Sequence, residues 1–173
     1  MSDRPVLGSA PLPPVQDDDH VRGLAEAPLL IEYTDLECPY CARLHLRLRP
    51  LVDAGELLLV MRHFPVRSAH PRAWESACAA EAAGLQGRFW EMLDLLLADQ
   101  SRLEDPHLWQ RATQLGFDLE RFERDRRSDR VLARVRRDFT AGVRAGVTST
   151  PTVFFGGEQL YGDRLAELTD VLG

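Results

Sequence analysis

Leu29-Leu30-Ile31-Glu32-Tyr33-Thr34-Asp35-Leu36-Glu37-Cys38-Pro39-Tyr40-Cys41-Ala42-Arg43-Leu44-His45 decides how the remaining residues are read. The unbroken apolar run Leu29 to Ile31 reads as a strand buried on both faces. Two cysteines separated by two residues follow it. They open the stretch Pro39 to Asp53, where Leu44, Leu48, Leu51 and Val52 recur at helical spacing. Strand, Cys-x-x-Cys and helix in that order put Cys38 at a helix N-terminus. There the unpaired backbone N–H groups and the positive end of the helix dipole favour thiolate over thiol. Pro39 suits the first helical turn, where its missing N–H is no loss. Cys41, three residues on, is close enough to attack a mixed disulfide on Cys38 and close the pair intramolecularly. The pattern predicts a dithiol–disulfide exchange centre.

Two other readings compete with it. A lone Cys-x-x-Cys can be half of a zinc site, but the usual second pair is missing, since Cys78 is the only other cysteine. His45 would add a third ligand at best, so no metal is assigned. Alternatively, the cysteines are ordinary small hydrophobes. The order strand, motif, helix favours redox chemistry over both.

Composition sets the outer bounds. A chain of 173 residues with 45% hydrophobic content can bury one compact domain with room for a subdomain. A net charge of −6 argues against non-specific nucleic-acid binding. All 21 basic residues are arginine, which excludes Schiff-base lysine chemistry. Met1-Ser2-Asp3-Arg4-Pro5 is not followed by a long apolar segment, and no apolar run approaches membrane-spanning length. The expectation is therefore a protein without membrane contact in the cytoplasm, where structural disulfides are rare, or in the periplasm if a leader has been removed.

Residues 1–27, with Pro11, Pro13, Pro14 and Asp17-Asp18-Asp19, read as an extended N-terminal arm. Strands are expected at Pro28 to Thr34 and Leu57 to Phe64, on either side of the helix 39–53 that stops before Gly55. Strand, helix, strand with short connections is a βαβ unit and hence a parallel pair. Residues 68–146 read as an all-helical insertion of five helices. Among them Asp105-Pro106 is expected as N-cap and first helical residue, and Asp118 and Ser128 or Asp129 as later helix starts. Strand signals return at Pro151 to Phe155. Gly156-Gly157 then turns into Glu158 to Tyr161, and a helix from Arg164 to Leu172 closes the chain.

These residues resemble the DsbA-like thiol–disulfide oxidoreductases of the thioredoxin-fold superfamily. The resemblance spans roughly residues 17 to 173 and rests on features in the right order. They are Glu32 six residues before the first cysteine, Cys38-Pro39-Tyr40-Cys41, Arg62-His63-Phe64-Pro65, the helical insertion, and Gly146-Val147-Thr148-Ser149-Thr150-Pro151-Thr152 entering a strand. It implies an α/β thioredoxin fold with an inserted all-helical subdomain, residues 28–67 and 147–173 forming the thioredoxin-like domain. It further implies that Cys38 is the exposed nucleophile and Cys41 the buried resolving thiol. Thr150-Pro151 would be a cis peptide facing them, a conformation that costs an X–Pro bond only about 0.5–1 kcal/mol. Glu32 would be a buried carboxylate that takes the Cys41 proton. No cofactor is implied beyond the dithiol. The implied partners are thiol- or disulfide-containing proteins, or glutathione, acting on a monomer or homodimer.

One departure bears on redox poise. Tyr40 stands where the strongly oxidising members have histidine, and Pro39-Tyr40 is also the glutaredoxin dipeptide; the expected couple is less oxidising, on the order of glutaredoxins or thioredoxin. The same fold also carries glutathione-linked transferases and isomerases, which often lack the second cysteine that Cys41 supplies here. A metal or iron–sulfur module built on Cys38 and Cys41 is the non-enzymatic alternative. Cys78 is read as a buried small hydrophobe. The arginines between 121 and 137 are read as a solvated helix face, and Trp74, Phe89, Trp90, Trp109, Phe117 and Phe122 as core candidates first and substrate-groove candidates second.

Overall fold

Period-two burial on the central strand organises the molecule. In β2 (Leu29–Thr34) Leu30 packs with Leu44, Leu48 and Val153, whereas Ile31 and Tyr33 pack with Val60, Phe64 and Phe139. Successive side chains of a strand point to opposite faces, so one strand feeds two cores and Glu32 falls on the same face as Leu30. The computed structural model describes residues 5–172; Met1–Arg4 of the expected arm and Gly173 lie outside the described residues.

The remaining strands are β1 (His20–Arg22), β3 (Leu58–His63), β4 (Thr152–Phe155) and β5 (Glu158–Tyr161). They form one five-stranded sheet in the order β1-β3-β2-β4-β5. Among the described residues only β2 and β3 run parallel, with Glu32 opposite Met61; β2 meets β4 antiparallel, with Glu32 opposite Val153. The parallel crossover is α1 (Pro39–Asp53). It ends as Gly55 takes φ 75° and the Glu56 amide reaches back to the Leu51 carbonyl, a left-handed stop that glycine adopts without steric penalty. Gly156 and Gly157 both have positive φ, as the tight turn between β4 and β5 requires.

Helices α2 (Ala73–Gly84), α3 (Phe89–Ala98), α4 (His107–Gln114), α5 (Leu119–Arg126) and α6 (Asp129–Arg144) lie between β3 and β4 in the chain, and α7 (Asp163–Leu172) closes it. Asp118 and Ser128 cap α5 and α6 through their side chains. Asp105 does not cap α4 as expected. Its carboxylate pairs with Arg126 instead, and Pro106 stands just before the first helical residue. Leu44 and Leu48 of α1 and Leu165 and Leu168 of α7 share a core on the first face of the sheet. On the second face α6 packs directly, with Phe139 stacked on Phe64 at 4.7 Å. Thus the last helix of the stretch 68–146 covers the sheet itself.

Gly142 of α6 marks how close that packing is. A Cβ there would meet Phe64 and Tyr33 ring carbons at 2.8 Å. Gly142→Val is expected to lower unfolding free energy by about 1–3 kcal/mol through overpacking, although it removes a helix-interior glycine. Urea denaturation checks it, and an unchanged midpoint would contradict this account of the α6–sheet contact.

Two stretches differ from their sequence reading. The expected arm contributes edge strand β1, which pairs antiparallel with β3 from His20–Met61 to Arg22–Leu59. Upstream, Arg62 of β3 binds the Pro13 and Pro14 carbonyls at 3.0 and 2.7 Å and Asp19 at 2.7 Å. A strand of three residues with one apolar side chain carries too little pattern to be seen in sequence. The arginine-rich stretch is not wholly solvated either. Arg126 and Arg134 are buried, Arg126 against Asp105 and Glu123, Arg134 among Asp18, Asp19, Glu81 and Asp138. Carboxylates arriving from other elements allow the burial, and their spacing along the chain hides them.

Candidate active site

Cys38 is the N-cap residue of α1, in extended conformation at φ −76° and ψ 121°, and Pro39 begins the helix. Its neighbours come from three directions. Its thiol donates to the Thr150 carbonyl at 3.4 Å, its amide donates to the Asp35 carbonyl at 3.1 Å, and its carbonyl accepts the Cys41 amide at 3.1 Å. The Thr150–Pro151 peptide on which it rests is cis. Cys38, Cys41 and Cys78 are free thiols.

The two sulfurs of the pair are electrostatically opposite. A hydrogen bond from the Cys41 thiol, helped by backbone N–H groups of Cys41 and Tyr40, outweighs burial and lowers the Cys38 pKa to about 6. Cys38 is thus mostly thiolate at neutral pH. Burial pushes Cys41 well above an ordinary thiol, and the hydrogen bond it gives to Cys38 and the charge of Glu32 add to the rise. The Asp35 amide donates to the Cys41 sulfur at 3.4 Å. Burial raises Cys78 to about 12, with the charges of Glu75 and Glu81 adding to it.

Glu32 lies under α1, 2% exposed. Burial raises its pKa against the opposing hydrogen bond from Thr34 and the charge of His45, and the Cys38 charge raises it further. Its charge state is thereby coupled to that of the Cys38 sulfur. Strand alternation places it there: any acidic residue two after Leu30 on β2 must face α1.

Cys38 itself corrects one expectation. It is not exposed: only 3% of its surface is accessible, because Leu36, the Thr150 carbonyl and its own helix enclose it. Beside it, past the neighbouring Tyr40 and Thr150, lies a groove of about 400 Å³ between α1 and the loop before β4. Tyr40, Leu44, Thr150, Pro151 and Leu165 line the groove, and Arg43 and Arg47 add two cationic side chains. Tyr40 is 63% exposed, with the Arg43 guanidinium 4.6 Å from its ring centre. The aromatic core candidates do not line this groove. Phe89, Phe117 and Phe122 are buried elsewhere, and Trp109 is 40% exposed with its indole N–H on Glu123.

Several supporting residues escaped sequence reading. Asp35 carries the loop ahead of α1: its carboxylate accepts the Glu37 and Val66 amides at 2.9 and 2.7 Å and bonds His70 Nδ1 at 2.9 Å. Glu37 is held by the Arg72 amide and guanidinium at 2.7 and 2.8 Å. Gln100, beyond α3, donates to the carbonyls of both Leu36 and Cys38 at 2.9 Å. A polar residue between strand and motif could have flagged Asp35; nothing local marks Gln100, 62 residues from Cys38. His45, the third metal ligand considered from sequence, is buried on Asp94, and His63 of the Arg62-His63-Phe64-Pro65 stretch is buried on Glu81. Among the described residues no group of three or more His, Cys, Asp or Glu side chains could hold a metal ion.

Comparison with known proteins agrees with this architecture. A family model described as Thioredoxin matches residues 16–172. A thioredoxin-like oxidoreductase from Silicibacter pomeroyi superposes with a TM-score of 0.79 at 25% identity, covering 91% of each chain. The α-DsbA1 of Wolbachia pipientis superposes with a TM-score of 0.75 at 22% identity, covering 91% of this chain and 90% of that one. Among curated relatives, a Na(+)/H(+) antiporter NhaA 1 of Mycolicibacterium gilvum is 44% identical over 149 residues, which is 83% of this chain and 24% of the relative. The chain spans about a quarter of the length of the curated relatives it matches.

Proposed function

The chain belongs to the thioredoxin family, a DsbA-like member by its fold, and from that premise we propose that it is a thiol–disulfide oxidoreductase working through the Cys38–Cys41 couple. The observation that carries the proposal is the division between an acidified Cys38 at a helix N-terminus and a protonated, buried Cys41 bonded to it. In the reducing direction the Cys38 thiolate attacks one sulfur of a substrate disulfide. A Cys38–substrate disulfide forms and the other substrate sulfur leaves as thiolate. Cys41 then loses its proton, for which Glu32 is the acceptor, and attacks the Cys38 sulfur. The Cys38–Cys41 disulfide forms and the second substrate thiolate departs. The same steps in reverse oxidise a substrate dithiol, and neither direction needs another cofactor.

The groove favours an extended segment bearing the reactive sulfur, from a protein or glutathione. Its apolar floor would take flanking side chains while the backbone before β4 offers hydrogen-bonding groups beside Cys38. In this reading residues 28–67 and 147–173 are the exchange domain and the helical stretch 68–146 walls the site. The antiporter name describes relatives of which this chain is similar to about a quarter, and the exchange reading is made for this chain from its own Cys38–Cys41 pair. Turnover of a fluorescent disulfide peptide by glutathione tests the proposal: acceleration that disappears when Cys38 is alkylated supports it, and a rate equal to the uncatalysed one overturns it.

Glu32 supplies a separate test. Proton acceptance from Cys41 is needed only for resolution, so Glu32→Gln should slow decay of the Cys38 mixed disulfide at least about tenfold while leaving its formation nearly unchanged. Rapid quenching of glutathionylated protein measures the decay. An unaltered decay rate would remove Glu32 from the mechanism.

A further inference from the structure

His70 belongs to none of the recognised motifs, yet the turn that carries it is fastened to the active-site loop at two points. The Val66 amide and the His70 Nδ1 both meet Asp35 Oδ2, at 2.7 and 2.9 Å, and the His70 amide closes the turn on the Val66 carbonyl at 2.8 Å. Asp35 is 1% exposed and touches both cysteines through its backbone: its carbonyl accepts the Cys38 amide and its amide donates to the Cys41 sulfur. A carboxylate buried so close to a thiolate repels it unless a cation answers the charge. No cation lies between the cysteines, where the residues are Pro39 and Tyr40. The charged groups around His70 are Asp35 and Glu37 of the loop before α1 and Cys38 at its first turn. On its own segment Arg72 is committed to Glu37 and Glu104.

We propose that His70 is a positioning residue for Cys38: held on Asp35, its imidazolium neutralises that carboxylate and stabilises the Cys38 thiolate from outside the Cys-x-x-Cys segment. Partial burial disfavours the imidazolium, but the Asp35 hydrogen bond and the charges of Asp35, Cys38 and Glu37 outweigh it and raise the His70 pKa. The sign follows. Below the His70 titration the cation is present and Cys38 is acidified; as pH rises through it the cation, and its help, are lost.

The inference rests on Cys38 being the attacking thiol, which mass mapping of the alkylated site in the unmodified protein checks first and separately. The test is His70→Gln, which keeps a hydrogen-bonding side chain without its charge at a position that is not deeply buried. In mildly acidic solution Cys38 alkylation should slow about three- to tenfold, and the difference should vanish in alkaline solution, where His70 is neutral and Cys38 ionised in both proteins. The equilibrium with glutathione should move about three- to tenfold toward the Cys38–Cys41 disulfide, because the dithiol form loses its stabilised thiolate. A slowing uniform across pH, or a profile and equilibrium within about twofold of the unmodified protein, would overturn the proposal.

Discussion

Cys38→Ser is expected to abolish disulfide exchange, with a loss of about a thousandfold or more, whereas Cys41→Ser should leave the first attack intact and stop the second. A serine hydroxyl is not ionised near neutral pH, while the thiolate is the species that attacks a disulfide. In this chain only Cys38 is acidified, to about 6; Cys41 is raised and Cys78 stands at about 12. Cys41→Ser should therefore accumulate mixed disulfides with substrate through Cys38, visible by non-reducing electrophoresis. The serine hydroxyl still has an O–H to donate to the Cys38 sulfur in place of the thiol, so Cys38 should stay acidified and its attack intact. Cys38→Ser should accumulate none, and Cys78→Ser should behave as the unmodified protein. Equal trapping by the Cys38 and Cys41 variants would contradict the assignment of attacking and resolving sulfurs.

The second large effect concerns stability. Glu81→Ala should lower the unfolding free energy by about 3–5 kcal/mol, the range for removing one partner of a buried ionic cluster. Glu81 Oε1 meets His20 Nε2 at 2.7 Å and His63 Nε2 at 2.9 Å, and Arg134 Nε lies 3.7 Å away. One carboxylate thereby ties together β1, β3, α2 and α6. Burial alone would raise its pKa, yet the hydrogen bonds and charges of His20 and His63 overcome it and lower the value to about 2. A depressed carboxylate contributes stability that is fully present above its unfolded value and is lost as pH falls through its folded value. The fall from an ordinary glutamate to about 2 corresponds to about 3 kcal/mol, lost between roughly pH 5 and pH 2. Urea denaturation across that interval should show the loss in the unmodified protein and its absence in Glu81→Ala. A variant weakened by less than about 1 kcal/mol would mean that the cluster does not hold these elements together.

How far the sequence reaches can be judged residue by residue. Helix α1 and its stop at Gly55, the β4–β5 turn and the parallel pairing of β2 with β3 are local consequences of apolar period, helix-compatible Pro39 and paired glycines. They were legible because each signal lies within a few residues of the element it specifies. Strand β1 was not, since His20-Val21-Arg22 acquires its strand character only by lying against Met61, Val60 and Leu59. Arg126 and Arg134 look like surface residues along the chain and are buried because carboxylates arrive from elsewhere. At the site the reactive pair was local and readable. Its immediate support, Gln100, Arg72 and His70 gathered on residues 35–38, is assembled from positions roughly 30 to 60 residues away, and no spacing rule brings those together.

Equilibration of the full chain with glutathione buffers of graded ratio, followed by acid quenching and mass analysis, addresses the central claim most directly. A single reversible transition is expected between a form with three free thiols and one with a Cys38–Cys41 disulfide and a free Cys78. Its midpoint should fall in the range of glutaredoxins and thioredoxin, on the order of −200 to −270 mV. The account is contradicted if no disulfide joins Cys38 to Cys41 at any ratio, or if Cys38 remains glutathionylated with Cys41 unable to displace the adduct.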